Sequence, residues 1–267
     1  MNSKERKMLD LLKRGRDEFG YVACKAEFEA EGTRVDELLR LIELARRADL
    51  KLALKIGGCE AMTDLMLAKQ MGADYVIGPM IETRYALWKF IDAKNKIYGP
   101  DDRSDTTFLY NMETETGFDN RDSMMEQATV DQGVQGVVFG RVDFAMSHQG
   151  WDRDDINLPK VTEPALQVAH LAKLHGQEIV VGGGVSNDSI DVLKQLRRVH
   201  LSRFETRKVV FDGAAADVPS IGQGLLNAVH FELLWLQNKR DYYGAIFTED
   251  DKRINMLDAR WKILSGQ

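Results

Sequence analysis

The stretch LALKIGGCEAMTDLMLAKQMGADYVIGPMIETRYAL, residues 52–87, holds one full period of the pattern that decides the fold. The apolar run Leu52–Ile56 has strand length, and Gly57 and Gly58 read as a tight turn into a helix. A second short run follows at Tyr75–Gly78. Strand-length apolar runs separated by helix-length segments are the signature of βα units, whose strands pair in parallel. Outward from this stretch the alternation predicts strands at Tyr21–Lys25, Thr106–Asn111, Gly136–Gly140 and Glu178–Gly182. Val35, Leu38, Leu39 and Ile42 follow the spacing of a buried helix face, as do Leu166, Ala169 and Ala172. The segment Val199–Asp212 is strand-like at both ends, with only Phe204 to Arg207 between and no room for a helix. The expectation is an α/β fold, a (β/α)8 barrel of TIM type with parallel strands. It would form one domain over residues 1–267, with an N-terminal helix over 1–19 and a helical extension over 228–267.

Composition narrows the function classes. With 44% hydrophobic and 29% charged residues the chain can bury a sizeable core and lies outside disordered compositions. A net charge of -6 with no basic run argues against nucleic acid or an anionic membrane as the main partner. The two cysteines, Cys24 and Cys59, make neither a disulfide framework nor a zinc motif. The charged N-terminus lacks the apolar core of a secretory signal, so a cytoplasmic protein is expected.

Two carboxylates stand just beyond apolar strands, Glu113 after Leu109–Met112 and Asp143 after Val137–Gly140. One βα unit separates them, so neighbouring strands would bring both to one rim. Hard oxygen ligands with the remaining positions open suit Mg²⁺ or Mn²⁺. Helix capping is the alternative for each. Lys25, Glu27 and Glu29 alternate at the end of the first strand, on one face if the chain stays extended. At a barrel mouth such charges must meet a metal, one another or a substrate; Lys25 is then a substrate contact, and Glu27 orients a metal-bound water or holds Lys55. Arg203, Glu205, Arg207 and Lys208 form a second charged knot, in which Arg207 and Lys208 could receive a second carboxylate or a phosphate. The triple glycine Gly182–Gly184 could offer backbone N–H groups to an anion. The polar, aperiodic segment from Phe144 to Thr162 reads as a long loop and a substrate lid, and its His148 is the candidate acid/base.

Met112–Gly117 matches an ETxxG motif and Gly140–Phe144 a G-x-x-D-[LF] motif, and together they resemble those of the HpcH/HpaI aldolase and citrate lyase β family. Residues 52–87 are similar to that family's strand, glycine turn, helix and following strand. The resemblance, over roughly residues 20–150, implies a pyruvate/phosphoenolpyruvate barrel with Glu113 and Asp143 as metal ligands. It also implies that Lys55 stands where the family carries the arginine that holds the substrate carboxylate. Phe28 follows Glu27 where the aldolase branch has a histidine, so the family's base is missing here.

The function expected is a divalent-metal-dependent carbon–carbon lyase acting on a small 2-oxo acid or related carboxylate, with a coenzyme A thioester left open as substrate. Alternatives are a lysine Schiff-base aldolase using Lys55, Lys25 or Lys208, and a non-catalytic ligand-binding barrel. Trp235, Tyr242, Tyr243, Phe247 and Trp261 crowd the last forty residues and need cover. The resemblance implies exchanged C-terminal helices, hence a homo-oligomer, dimeric at least and extending to a hexamer built from dimers.

Overall fold

A computed structural model describes residues 1–265. Eight strands close into a barrel in sequence order: β1 (Tyr21–Glu27), β2 (Lys51–Lys55), β3 (Tyr75–Gly78), β4 (Thr107–Met112), β5 (Gly136–Gly140), β6 (Glu178–Gly182), β7 (Arg203–Glu205) and β8 (Val209–Asp212). The helices α1 (Ser3–Phe19), α2 (Val35–Arg47), α3 (Met62–Met71), α4 (Arg84–Ile97) and α5 (Pro100–Asp105) precede β4 in the chain. After it come α6 (Glu115–Asp119), α7 (Arg121–Ala128), α8 (Arg141–Ser147), α9 (Pro159–Leu174), α10 (Ile190–Val199) and α11 (Ile221–Ser265). The expected TIM-type barrel is present, and the first six strands lie within two residues of their expected bounds.

The expectation of a wholly parallel sheet is corrected. β1 to β7 run parallel, but β8 is antiparallel to both β7 and β1, with Phe204 opposite Phe211 and Ala23 opposite Val210. Only Thr206, Arg207 and Lys208 link β7 to β8, a hairpin too short for a crossover helix. The chain therefore leaves β8 at the base of the barrel, and α11 runs from there towards the mouth.

Ala23, Ala53, Ile77, Leu109, Val138, Val180 and Val210 point inward and fill the barrel. A larger apolar layer lies between the strands and the helices. Helix α1 starts at an Asn2 cap reciprocated by Glu5, stops at left-handed Gly20, and buries Met8, Leu12 and Phe19. On α2 the buried face is Leu38, Leu41, Ile42 and Ala45, whereas Val35 and Leu39, expected inside, are exposed. Among the described residues no helix is long and apolar enough to cross a membrane.

The expected loop from Phe144 to Thr162 is mostly structured. It contains the end of α8, a 3-10 turn at Arg153–Asn157 capped by Asp152, and the start of α9 at Pro159. These elements are too short to leave a periodic trace in sequence. The triple glycine serves packing. Gly183, at φ +80, lies so close to α8 that a Cβ would fall 2.6 Å from the Val142 nitrogen. Gly183→Ala should therefore lose about 2 kcal/mol or more in urea unfolding, because clash adds to backbone strain. Gly176→Ala, at φ +65 but in open space, should lose only about 1 kcal/mol. Equal losses would show that backbone conformation alone sets the cost.

Candidate active site

The parallel strands end at one rim, and the β7–β8 hairpin turns at the same rim because β8 is reversed. Glu113 is the first residue after β4 and is 3% exposed. Its Oε2 accepts a 2.6 Å hydrogen bond from Asn111, and its Oε1 accepts one of 3.3 Å from the Met80 N–H. Met80 sits at φ +49, strained for a residue with a side chain, and this bend aims its N–H at the carboxylate. Space for Glu113 comes from Gly140, where a Cβ would stand 2.7 Å from Oε2. That contact gives the glycine of the second motif its physical reason. Thr114 caps α6 by accepting from the Gly117 N–H, which accounts for the spacing of the first motif.

Asp143 lies exposed in the first turn of α8 and makes no ion pair among the described residues. Burial pushes the Glu113 carboxyl above its usual range and the charge of Asp143 adds to the push, against the pull of Lys55 and Asn111. The two carboxylates expected at one rim are thus close enough to feel each other.

Lys55 ends β2 with its ammonium 2.9 Å from Glu29 and 3.5 Å from Glu113. Burial acts to lower its pKa, but Glu113, Glu29 and Glu27 outweigh burial and hold the ammonium charged. The direct partner of Lys55 on the first strand's side is Glu29, where Glu27 was expected. Glu27 instead meets Lys25 at 3.1 Å and Arg207 at 3.3 Å. Burial would raise the Glu27 carboxyl, yet these cations carry it below its usual range, so it stays ionised.

Lys25 also bonds Glu205 at 2.5 Å, inside the barrel, beside Gly182. Burial opposes its charge, and Glu205 and Glu27 reverse the effect, raising its pKa above the ordinary lysine value. Lys208 is buried against Glu31 and under the Trp235 ring. Of the expected substrate contacts only Arg207 keeps a half-exposed head. Arg203, taken with this knot in sequence, lies at the base of the barrel against Glu178 and over the Tyr75 ring.

His148 caps the end of α8. Its Nδ1 bonds the Phe144 carbonyl at 2.8 Å, and its ring stacks on Trp151 at 4.1 Å. Five helical positions from Asp143 place it about 140° round the axis, so the contacts give it a packing role.

The barrel fold is shared with solved structures. An HpcH/HpaI aldolase from Desulfitobacterium hafniense DCB-2 aligns at TM-score 0.58 and 14% identity, over 78% of this chain and 84% of that one. An HpcH/HpaI aldolase/citrate lyase family protein from Burkholderia cenocepacia J2315 aligns at 0.60 and 14%, over 84% and 90%. A variant of the citrate synthase SbnG aligns at 0.55 and 16%, over 74% and 81%. The fold is that of the HpcH/HpaI aldolases. No sequence-family model and no curated protein matches the chain. At such identities the shared HpcH/HpaI fold leaves the chemistry to be argued from the site.

Two buried polar residues, Asn111 and Arg141, escaped the sequence reading. Asn111 is an inward position of β4, and Glu205, already placed in the second charged knot, is admitted inside the barrel by Gly182 on the neighbouring strand. Arg141 is wholly buried with no carboxylate partner. It donates to the Gly182 and Gly183 carbonyls at 3.2 and 2.9 Å and to Asn157 at 2.9 Å. Burial pulls its pKa down to about 10. It ties α8 to the β6 turn and to the 3-10 turn. The only signal for it was a charged residue directly after a buried strand.

Breaking the Lys25–Glu205 pair tests the mouth's charge balance. Glu205→Ala should cost about 3 kcal/mol in urea unfolding, because Lys25 stays buried with one partner fewer. Replacing both Lys25 and Glu205 by Met should recover at least half of that. A double variant worse than the single would mean that the pair is itself a net stabiliser.

Proposed function

We propose that this chain is a divalent-metal-dependent carbon–carbon lyase acting on a small 2-oxo acid or a related carboxylate. The observation that carries the reading is the Glu113–Asp143 pair, one buried and one open, facing a lysine at the mouth of a barrel shared with HpcH/HpaI aldolases. Among the described residues no group of three or more His, Cys, Asp or Glu side chains is placed to hold a metal, so protein ligands alone would leave positions open. The donors fit Mg²⁺ or Mn²⁺: two hard carboxylates, a Glu113 whose charge Lys55 compensates only in part, and an Asn111 Oδ1 that is buried without a partner among the described residues. When bound, the cation would supply Lewis-acid stabilisation of the negative charge that develops as the C–C bond breaks.

The chain's own residues do the rest. Asn111 and the Met80 N–H fix the Glu113 carboxylate so that it need not reorganise. Lys55, kept charged by its acidic neighbours, holds the substrate carboxylate as a point charge. Arg207, half exposed beyond Glu27, is placed for a second carboxylate or a phosphate. Lys25 and Lys208 act indirectly, by neutralising Glu205, Glu27 and Glu31. The same pairing argues against Schiff-base chemistry at Lys25 and Lys55, since an attacking amine must be deprotonated and both are held as ammonium.

Glu113→Gln and Asp143→Asn should each remove Mg²⁺ and Mn²⁺ binding in calorimetry while the circular dichroism stays native. Each should lower kcat/KM on a cleaved 2-oxo acid by about a hundredfold or more. Unchanged metal affinity in both variants would overturn the site. Lys55→Ala should raise KM about tenfold or more while Lys55→Arg stays near wild type. A stable adduct after borohydride and pyruvate, with activity surviving a chelator, would instead favour the lysine route.

A further inference from the structure

Helix α8 carries Asp143 in its first turn and is seven residues long, too short to hold its own place in water. Gly140 before it has no side chain to cap it. Its far end is pinned by Ser147, whose hydroxyl accepts from the Glu115 N–H at 2.8 Å. Its near end rests on the β6 turn, where a Cβ on Gly183 would come within 2.7 Å of the Arg141 nitrogen. That contact sets how closely the helix approaches the turn. It does not by itself stop the helix from rolling about its axis.

Arg141 supplies what is missing. Its side chain is wholly buried, and its guanidinium reaches acceptors on three separate segments. On the β6 turn these are the Gly182 and Gly183 carbonyls, at 3.2 and 2.9 Å. On the 3-10 turn it is the Asn157 Oδ1 at 2.9 Å, and on the turn before α10 it is the Ser189 hydroxyl at 3.2 Å. Ser189 in turn donates to the same Asn157 oxygen at 3.1 Å, which fixes the orientation of that amide. A planar fork held at four points resists rotation in a way that a lysine ammonium, a point charge on a flexible stem, does not.

All four acceptors are neutral. A buried cation without a carboxylate is a poor stabiliser, and an apolar side chain would fill the space with less penalty. The gain lies on the other side of the helix. Two positions apart, Arg141 and Asp143 stand about 200° from each other round the axis, so the guanidinium anchors the inner face while the carboxylate faces outward. Asp143 is exposed and makes no ion pair among the described residues, so its place depends on the helix that carries it. Glu113 has its own supports in Asn111 and the Met80 N–H.

We propose that Arg141 is the positioning residue for Asp143: by locking α8 against the β6 turn, the 3-10 turn and the turn before α10, it holds this carboxylate in place relative to Glu113. The inference rests on Glu113 and Asp143 as the metal ligands.

The test is Mn²⁺ affinity by calorimetry in the full chain, measured beside urea unfolding. Arg141→Lys should weaken Mn²⁺ binding about tenfold or more, as loss of a group that orients a ligand does. Asn157→Ala leaves Arg141 in place and removes one of its acceptors. It should weaken binding several-fold, and it serves where Arg141→Lys fails to fold. Asn157→Asp keeps an acceptor oxygen and should stay close to wild type. Gly176→Ala, strained at the opposite end of β6, should bind Mn²⁺ as the wild type does. Wild-type affinity in Arg141→Lys and Asn157→Ala, with stability lowered, would leave Arg141 a packing role and overturn the inference. So would equal losses in Asn157→Asp and Asn157→Ala, which would place the effect outside the Arg141 contact, or an equal loss in Gly176→Ala, since any destabilisation would then suffice. A wild type that binds no Mn²⁺ would overturn the metal reading itself, and this inference with it.

Discussion

The antiparallel ladder between β1 and β8, with Ala23 opposite Val210 and Cys24 opposite Val209, is the constraint on which the rest of the molecule hangs. A parallel eighth strand would have ended at the mouth and sent the last helix down the outside of the barrel. The reversed strand does the opposite. It turns Arg207 and Lys208 into the mouth through a three-residue hairpin, and it releases the chain at the base. Helix α11 must then climb, bury α1 on the way, and pass the rim with most of its length still to run.

The mouth shows how a barrel tolerates ionised groups that an apolar interior would reject. Lys25 answers Glu205 and Glu27, Arg207 answers Glu27, Lys208 answers Glu31, and Lys55 answers Glu29 and Glu113. Buried ions persist when partners meet them at close range, and removal of one partner costs more than the pair contributes. Glu113 is the exception. Its pairing with Lys55 is the longest of these save the contact of Arg207 with Glu31, and its neighbour Asp143 adds like charge, so its compensation is incomplete.

Much of this was legible in the sequence, and the rest was hidden for identifiable reasons. The first six strands announce themselves as apolar runs bounded by glycines, and the two acidic motifs sit at their ends. Strands of three and four residues, as in β7 and β8, leave too little pattern, and Thr206-Arg207-Lys208 lacks the glycine or asparagine that marks a common hairpin. Asn111 and Arg141 were missed because polar residues read as exposed until the partners that meet them inside the fold are seen in space. Val35 and Leu39 misled in the other direction: apolar and correctly spaced, they face outward on a helix whose true inner face is one step round. His148 attracted attention by its loop, and the loop proved to be short helices in which its ring packs on Trp151.

The contact between α1 and α11 joins distant parts of the chain. During synthesis the apolar face of α1, with Met8, Leu12 and Phe19, leaves the ribosome well before the segment of α11 that covers it. The β1–β8 ladder is delayed in the same way. Closure of the barrel and cover of α1 therefore both wait until β8 and α11 have been made, and a chain interrupted before them exposes both a bare strand edge and a bare helix.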